Sequence, residues 1–123
     1  MSAIRGKHTS PELLVRKAVR QLGYRYRLHS RKLPGIPDIV LPDLKTAVFV
    51  NGCFWHQHKN CKRCSVPKTN RRYWVGKLKR NVEHFVEVRK ELRQLGWKVV
   101  VVWECQTKKN ESLLRALGTK IGA

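Results

Sequence analysis

Acidic residues are scarce in this chain. Only 8 of its 123 residues are Asp or Glu, against 27 Lys and Arg, and the formal net charge is +19. Positive charge at this density repels itself unless a polyanion neutralises it, which favours nucleic acid over an anionic membrane surface as the partner. The scarcity also means that a catalytic carboxylate has to be sought among few side chains.

Long apolar runs are missing as well. No run approaches the roughly 20 residues that span a bilayer, and residues 1–7 contain no apolar segment typical of a secretory signal. A cytoplasmic protein that does not enter a membrane is the simplest interpretation. The length predicts one compact domain, residues 1–123. In a reducing compartment, the four cysteines are expected to bind metal rather than to form disulfides.

The first half of the chain predicts one helix and three strands. A capping pattern starts the helix at Thr9 or, in a competing register, at Ser10. Alternation of apolar and basic residues predicts a strand over Tyr24–His29, with the basic residues and the histidine on its outer face. Two apolar runs, Asp38–Leu41 and Thr46–Val50, are joined by so short a connection that they predict a hairpin.

The second half predicts a helix, a strand and a helix. Apolar residues at helical spacing mark Arg71–Leu95, and a valine run marks a buried strand over Lys98–Trp103. A short amphipathic helix is expected over Asn110–Leu117, with the last residues frayed. The resulting order, α-β-β-β-α-β-α, is typical of an α/β fold in which helices flank a mixed sheet.

Potential metal ligands concentrate in and after the segment Val50–Cys61. The candidates are Cys53, His56, His58, Cys61, Cys64 and Cys105. Zinc requires four soft or borderline ligands, and Cys53, His58 and Cys61 could supply three of them. Cys105 follows the last predicted strand, so a ligand there would fasten the segment to the sheet. A structural zinc is favoured over free thiols and surface histidines, although Cys64 or His56 could replace one member of the set.

Asp38 is the acidic residue best placed for chemistry. It stands at the head of an apolar strand, directly after Pro37. A carboxylate in such a place could hold Mg²⁺ and so polarise a phosphate. The alternative is an aspartate that closes the preceding proline turn by a hydrogen bond to the backbone.

Phe54 and Trp55 are two large aromatic residues in a predicted loop of a basic chain. They could stack on bases or wedge into a duplex step. Alternatively, one of them could cover the zinc site. The sequence pattern does not choose between these roles.

Several motifs occur together along the chain. They are Arg5-Gly6-Lys7-x-Thr9-x-Pro11-Glu12-Leu13, Leu33-Pro34-Gly35-x-Pro37-Asp38-Ile39-Val40-Leu41, Val48-Phe49-Val50-x-Gly52-Cys53-Phe54-Trp55-His56 and Val102-Trp103-Glu104-Cys105. In this combination the chain resembles the very-short-patch-repair (Vsr) DNA mismatch endonucleases, over about residues 4–105.

This resemblance implies a fold and an activity. The fold would be a restriction-endonuclease-like (PD-(D/E)xK-type) mixed sheet flanked by helices, with a structural Zn²⁺. It would form a single Vsr-like domain, with a core over 4–105 and a C-terminal helix and tail over 106–123. The activity would be Mg²⁺-dependent hydrolysis of one strand on the 5′ side of the thymine in a T:G mismatch. The protein would act on double-stranded DNA as a monomer in the bacterial cytoplasm, associated with the nucleoid, with mismatch-repair proteins as candidate partners.

The resemblance also implies roles for individual residues. Asp38 and the backbone carbonyl of Val50 would hold Mg²⁺, and His56 would be the general base. Glu12 and Asn81 would hold water on the metal. The zinc ligands would be Cys53, His58, Cys61 and Cys105, and the aromatic wedge that enters DNA would be Phe54, Trp55 and Trp74.

Phe85 departs from the family pattern. The family usually has an aspartate four residues after the asparagine of the long helix, where it supports the catalytic histidine, whereas this chain has Phe85. The alternative function is therefore a zinc-stabilised mismatch-binding or DNA-binding module with weak or no nicking activity. A plain PD-(D/E)xK nuclease with other substrates would have to explain why Phe49-Val50-Asn51 replaces the usual Glu-x-Lys. The chain also begins close to its first motif, where family members commonly carry a further DNA-contacting arm, so altered DNA affinity or mismatch selectivity is expected.

Overall fold

The computed structural model describes residues 10–57 and 66–122, and their elements follow the predicted order. The helices are α1 (Ser10–Gln21), α2 (Arg71–Gln94) and α3 (Asn110–Gly122), and the strands are β1 (Arg27–Leu28), β2 (Ile39–Leu41), β3 (Thr46–Asn51) and β4 (Lys98–Trp103). Thr9, one of the two predicted helix starts, lies outside the described residues. Within the described ranges, no helix combines the length and the apolar character needed to cross a membrane.

The four strands form one sheet in the order β1-β2-β3-β4. The first three strands pair antiparallel, and Ile39 faces Val48 across the predicted hairpin. A short 3-10 turn, Pro42–Leu44, connects the two hairpin strands. β4 pairs parallel with β3, and α2 lies in the connection between them, as a parallel pair requires. The predicted mixed sheet and hairpin are confirmed.

Helices cover both faces of the sheet. Side chains alternate between the two faces along each strand, so each strand contributes to both layers. On one face, Val48 and Val100 pack in a core cluster with buried residues of α1 and α3. On the other face, Ala47 and Phe49 pack with Val88 and other apolar residues of α2. β3 is thus buried from both sides, which fixes the position of the segment that follows it.

β1 is much shorter than the predicted strand over 24–29. Only Arg27 and Leu28 pair with β2, and Leu28 is exposed rather than buried. Tyr24 and Tyr26 do pack against the core, as the alternation predicts. The strand ends because His29 adopts a left-handed backbone conformation, with φ of 45°.

The expectation that the last residues fray is wrong. α3 continues to Gly122, and Ile121 is buried in the core cluster. The Lys98 ammonium donates a hydrogen bond of 3.3 Å to the Ile121 carbonyl. The Lys120 ammonium donates one of 2.9 Å to the Val101 carbonyl. The end of α3 is therefore tied to β4 and is part of the core rather than a tail.

Candidate active site

Asp38 lies immediately before β2, and its carboxylate bonds to the neighbouring strand. Its Oδ2 accepts a hydrogen bond of 2.7 Å from the Val50 N–H. The contact therefore crosses the hairpin instead of closing the proline turn. In an extended strand, the N–H and C=O of one residue point to the same side. The Val50 carbonyl is accordingly directed towards β2, the side on which the predicted metal site lies.

Glu12 and His29 lie beside Asp38. Glu12 is on α1 with its side chain 1% exposed, and it forms an ion pair with Arg16 one helical turn later. The His29 Nε2 is 2.8 Å from the Glu12 Oε2. One ligand atom from each of Glu12, His29 and Asp38 lies within 4.8 Å of the other two. We call these three residues the acid–histidine cluster.

His29 is a site residue that the sequence pattern missed. The alternation over 24–29 predicts it on the outer face of a strand, yet its side chain is only 15% exposed and points to Glu12. The positive φ at His29 turns the side chain away from the direction that alternation predicts. One residue in the left-handed backbone conformation leaves no periodic signal in the sequence.

The surroundings of Asp38 disfavour its charged form. The pKa of Asp38 is raised from 3.8 to about 7: burial is the largest cause, the Glu12 carboxylate also raises the pKa, and the Val50 N–H and Arg16 lower it. Two carboxylates at short range in a largely buried place repel each other, and a bound cation would relieve that repulsion.

His56 lies in a tight turn that follows β3. Its backbone N–H donates a hydrogen bond of 3.1 Å to the Gly52 carbonyl. The imidazole packs edge to face between Phe85, at 5.4 Å between ring centroids, and Trp103, at 6.4 Å. Its Nδ1 is buried and has no hydrogen-bond partner within residues 10–57 and 66–122. Burial lowers the pKa of His56, and the nearby His84 lowers it further.

Phe85 occupies the place beside His56 where the family pattern has an aspartate. Its ring also packs edge to face on Phe49, at 5.1 Å. The Arg89 guanidinium lies 5.6 Å from the Phe85 centroid. Phe85 therefore joins α2 to the sheet and presents an apolar ring to the imidazole instead of a hydrogen-bond acceptor.

The three predicted wedge residues are brought together in one cluster. The Phe54 ring centroid lies 5.1 Å from that of Trp55 and 5.7 Å from that of Trp74, and the two tryptophans are 5.7 Å apart. Two further residues of α2, not predicted from the sequence, extend the cluster. Tyr73 packs on Trp74 at 5.3 Å, and the Lys77 ammonium lies 5.8 Å from the Trp55 ring and 6.0 Å from the Tyr73 ring. Lys77 lies three residues after Trp74, and this helical spacing is a signal that could have found it, whereas Tyr73 is the sequence neighbour of Trp74.

The side chain of Asn81 contacts the turn that follows β3, and not the acid–histidine cluster, among the described residues. Its amide donates a long hydrogen bond of 3.5 Å to the Trp55 carbonyl. This bond fastens the turn that carries the aromatic residues to α2. The predicted role of Asn81 towards the catalytic metal stays a prediction.

Two of the predicted zinc ligands, Cys53 and Cys105, follow the ends of the neighbouring parallel strands β3 and β4. Asn51 pairs with Trp103 at the end of the parallel strands, and Cys53 and Cys105 each follow two residues later. Cys53 is fully buried and Cys105 is half-buried. His58 and Cys61, and the additional Cys64, lie outside the described residues. The zinc site therefore stays a prediction, with half of its ligand set placed.

The chain is similar to known nucleases over most of its length. A family model described as DNA mismatch endonuclease Vsr matches residues 1–63. The type II nicking enzyme V.NmeAIP of Neisseria meningitidis is 44% identical over 115 residues, which cover 94% of this chain and 81% of that protein. The type II nicking enzyme V.XorIIP of Xanthomonas oryzae pv. oryzae is 42% identical over 106 residues, covering 86% and 77%.

The DNA mismatch endonuclease Vsr of Escherichia coli is 35% identical over 113 residues, which cover 92% of this chain and 72% of that protein. These matches confirm the resemblance carried by the motifs. The mixed sheet with its flanking helices is compatible with the fold expected for such a nuclease. The chain therefore belongs to the Vsr family of DNA mismatch endonucleases and is a hydrolase that nicks DNA.

Proposed function

We propose that this chain nicks one strand of duplex DNA on the 5′ side of the thymine in a T:G mismatch, by Mg²⁺-dependent hydrolysis, as a step of very-short-patch repair. The observation that carries the proposal is the Asp38 carboxylate, held by the Val50 N–H beside Glu12 in a chain of net charge +19. The basic surface would attract the phosphate backbone, and the carboxylates would attract the metal. We expect a monomer in the bacterial cytoplasm, with mismatch-repair proteins as candidate partners.

The residues around Asp38 fit a hard divalent cation. Asp38 and the Val50 carbonyl offer oxygen ligands, and the Glu12 carboxylate lies close by. Mg²⁺ bound there would polarise the scissile phosphodiester and stabilise the charge on the leaving oxygen. Asp38 has to be deprotonated to act as a ligand, and the Val50 N–H supports that form by bonding to its Oδ2.

His56 would accept the proton of the attacking water. Its lowered pKa keeps the imidazole neutral near pH 7, which is the form that a base requires. The described surroundings of His56 are aromatic rather than acidic, because Phe85 and Trp103 pack on its ring. The imidazolium formed during the reaction would lack the support that a carboxylate gives. We therefore expect slower chemistry than in a relative with aspartate at this place.

The aromatic cluster would recognise the mismatch. Phe54, Trp55 and Trp74 form a platform of half-buried rings. Aromatic side chains can enter a base step, and a mismatched step costs less to unstack than a paired one. The Lys77 ammonium beside these rings would contact the phosphates that flank the opened step.

The binding-module alternative is not favoured. The relatives that cover most of the chain are named as nicking enzymes or as an endonuclease. Phe85 alters the surroundings of the proposed base but leaves Asp38 and Glu12 in place. The apolar substitution is therefore expected to reduce the rate of nicking rather than to abolish it.

A structural zinc is part of the proposal. Cys53 and Cys105 would hold it together with His58 and Cys61, so that the turn after β3 is fastened to the end of β4. Cys105→Ser should lower the bound zinc and the melting temperature, whereas Cys64→Ser, outside this ligand set, should keep both. Zinc content measured by mass spectrometry checks this. One zinc per chain retained in Cys105→Ser would show that the ligand set is wrong.

The proposed chemistry is tested by a pair of isosteric variants. Asp38→Asn should lose nicking of a T:G duplex in Mg²⁺. Asp43→Asn removes an exposed carboxylate that pairs with Arg25 on the surface, and it should keep the wild-type rate. The assay follows conversion of a strand-labelled duplex to a shorter product. Nicking by Asp38→Asn at the wild-type rate would overturn the assignment of Asp38 as the metal-binding carboxylate.

A further inference from the structure

His29 is held inside the acid–histidine cluster by its backbone as well as by its side chain. Its N–H donates a hydrogen bond of 3.2 Å to the Asp38 carbonyl. Its φ of 45° is uncommon for a residue other than glycine, although histidine adopts this region more readily than most residues. The left-handed conformation directs the imidazole towards Glu12, at 2.8 Å. Neither the proposed reaction nor the proposed zinc site makes use of this imidazole.

We propose that Glu12, His29 and Asp38 form one divalent-metal site in which His29 is a nitrogen ligand. The inference rests on the proposed function in one respect, namely that Asp38 is a metal ligand. It adds two side chains to that metal. His29 would coordinate it through Nε2, and Glu12 would coordinate it directly rather than through water.

The spacing of the three side chains fits this proposal. In octahedral coordination at about 2.1 Å, neighbouring ligand atoms are about 3.0 Å apart and opposite ones about 4.2 Å apart. The Glu12 Oε2 and His29 Nε2 are 2.8 Å apart, close to the separation of neighbouring ligands. All three ligand atoms lie within 4.8 Å of one another. Modest rotation of the side chains would therefore close the cluster around one ion.

Arg16 competes with the metal ion for the Glu12 carboxylate. Its guanidinium contacts the Glu12 Oε2, the oxygen that also faces His29. A carboxylate has about four lone-pair directions, so Glu12 can accept from Arg16 and still bind a cation. When no metal is bound, the Arg16 guanidinium pairs with the Glu12 carboxylate. On binding, the metal would replace the contact between His29 and Glu12 and leave the one with Arg16.

The mixed ligand set has a consequence for metal preference. Mg²⁺ prefers oxygen ligands, whereas first-row transition ions such as Mn²⁺ and Co²⁺ accept an imidazole nitrogen readily. We expect Mn²⁺ to bind more tightly than Mg²⁺, and loss of the imidazole to weaken Mn²⁺ binding by about tenfold or more. The affinity for Mg²⁺ should change less, because Mg²⁺ gains less from a nitrogen ligand.

The test uses pulsed electron paramagnetic resonance of Mn²⁺ bound to the zinc-loaded protein without DNA. Echo modulation from a directly coordinated ¹⁴N should be present in the wild type and in His84→Gln, a control histidine exposed on α2. It should be absent in His29→Gln, and titration should show weaker Mn²⁺ binding by that variant. A merely structural role for His29 would not produce the nitrogen signal.

Two results would overturn the proposal: no ¹⁴N modulation in the wild type, or modulation that persists in His29→Gln. If circular dichroism shows that His29→Gln does not fold, His29→Asn replaces it, and absence of the nitrogen signal from the wild type overturns the proposal whichever variant folds. Because the measurement contains no DNA, its failure is distinct from failure of the nicking assay. An enzyme that nicks T:G DNA without the nitrogen signal would keep the proposed function and lose this inference.

Discussion

At the scale of single residues, Phe85 determines the surroundings of the proposed base. Its ring packs in a T-shaped contact with the imidazole of His56, and burial together with His84 lowers the pKa of that imidazole. A carboxylate in the same position would favour the protonated form and could accept a hydrogen bond from the ring.

Phe85→Asp is therefore expected to raise the pKa of His56 and, where the fold tolerates the charge, the rate of nicking. Phe85→Asn is the control, because it removes the same ring without adding a charge. The pKa is measured by NMR titration of the His56 ring protons. Equal pKa values in the two variants would show that residue 85 does not act on His56 electrostatically.

Asp38 makes the stability of the metal-free protein depend on pH. Its pKa is raised from 3.8 to about 7, chiefly by burial, so between these values the folded state binds more protons than the unfolded state. The free energy of unfolding should therefore fall as pH rises from about 4 to about 7, and then level off.

Asp38→Asn removes this titration and should retain the hydrogen bond from Val50 through its amide oxygen. Above pH 7, without added Mg²⁺, the variant is expected to be more stable than the wild type, and the difference should shrink towards pH 4. Urea unfolding at several pH values measures it. His56 titrates in both proteins, so the comparison isolates Asp38. A difference that does not vary with pH would contradict the account.

At the scale of elements, the turn before Asp38 is fixed by its packing on α2. Gly35 has a φ of +75°, and a Cβ at this position would lie 2.4 Å from the Val88 Cγ1. Val88 is buried beneath the turn, so its side chain has little room to move. The turn thereby sets the point at which β2 begins and Asp38 is presented.

Gly35→Ala should destabilise the protein more than Gly23→Ala. Both glycines have positive φ, so each substitution should cost about 1 kcal/mol in backbone conformation. Gly23 has no atom within 4 Å of the added Cβ, and the difference between the variants reports the clash alone. Overpacking of this kind typically costs about 1–3 kcal/mol. If both variants lose the same free energy of unfolding in denaturant, the Cβ added at residue 35 does not clash with Val88.

The elements that the sequence predicts well are those with local determinants. The apolar spacing of α2 and the two apolar runs of the hairpin are periodic signals, and both elements appear as predicted. β1 ends at a single residue in the left-handed backbone region, His29, and the end of α3 depends on a distant contact with Lys98, and neither leaves a periodic signal in the sequence. The same distinction applies to the site, since motifs indicated Asp38 and Glu12, whereas His29 joins them only through tertiary geometry.

At the scale of the whole molecule, the charge of +19 should dominate affinity for DNA. Binding releases counterions, so the logarithm of the affinity should fall linearly with the logarithm of the salt concentration, by about 0.9 per phosphate contacted. Lys77 stands at the aromatic cluster, where phosphate contact is expected.

Lys77→Gln should remove about one phosphate contact. The slope of log affinity against log salt concentration should therefore become less steep by about 0.9. Lys109→Gln, an exposed lysine just before α3, is the control and should leave the slope nearer to that of the wild type. Fluorescence anisotropy with a T:G duplex at several salt concentrations measures both. A larger reduction for Lys109→Gln would place the DNA-binding surface elsewhere on the molecule.

In the proposed function, the mismatch directs nicking. This is measured most directly by single-turnover nicking in Mg²⁺ of three duplexes that differ only in containing T:G, T:A or C:G at one position. We expect a single product cut on the 5′ side of the thymine in the T:G duplex, with the matched duplexes cut slower by about tenfold or more. Equal rates on all three duplexes would contradict direction by the mismatch.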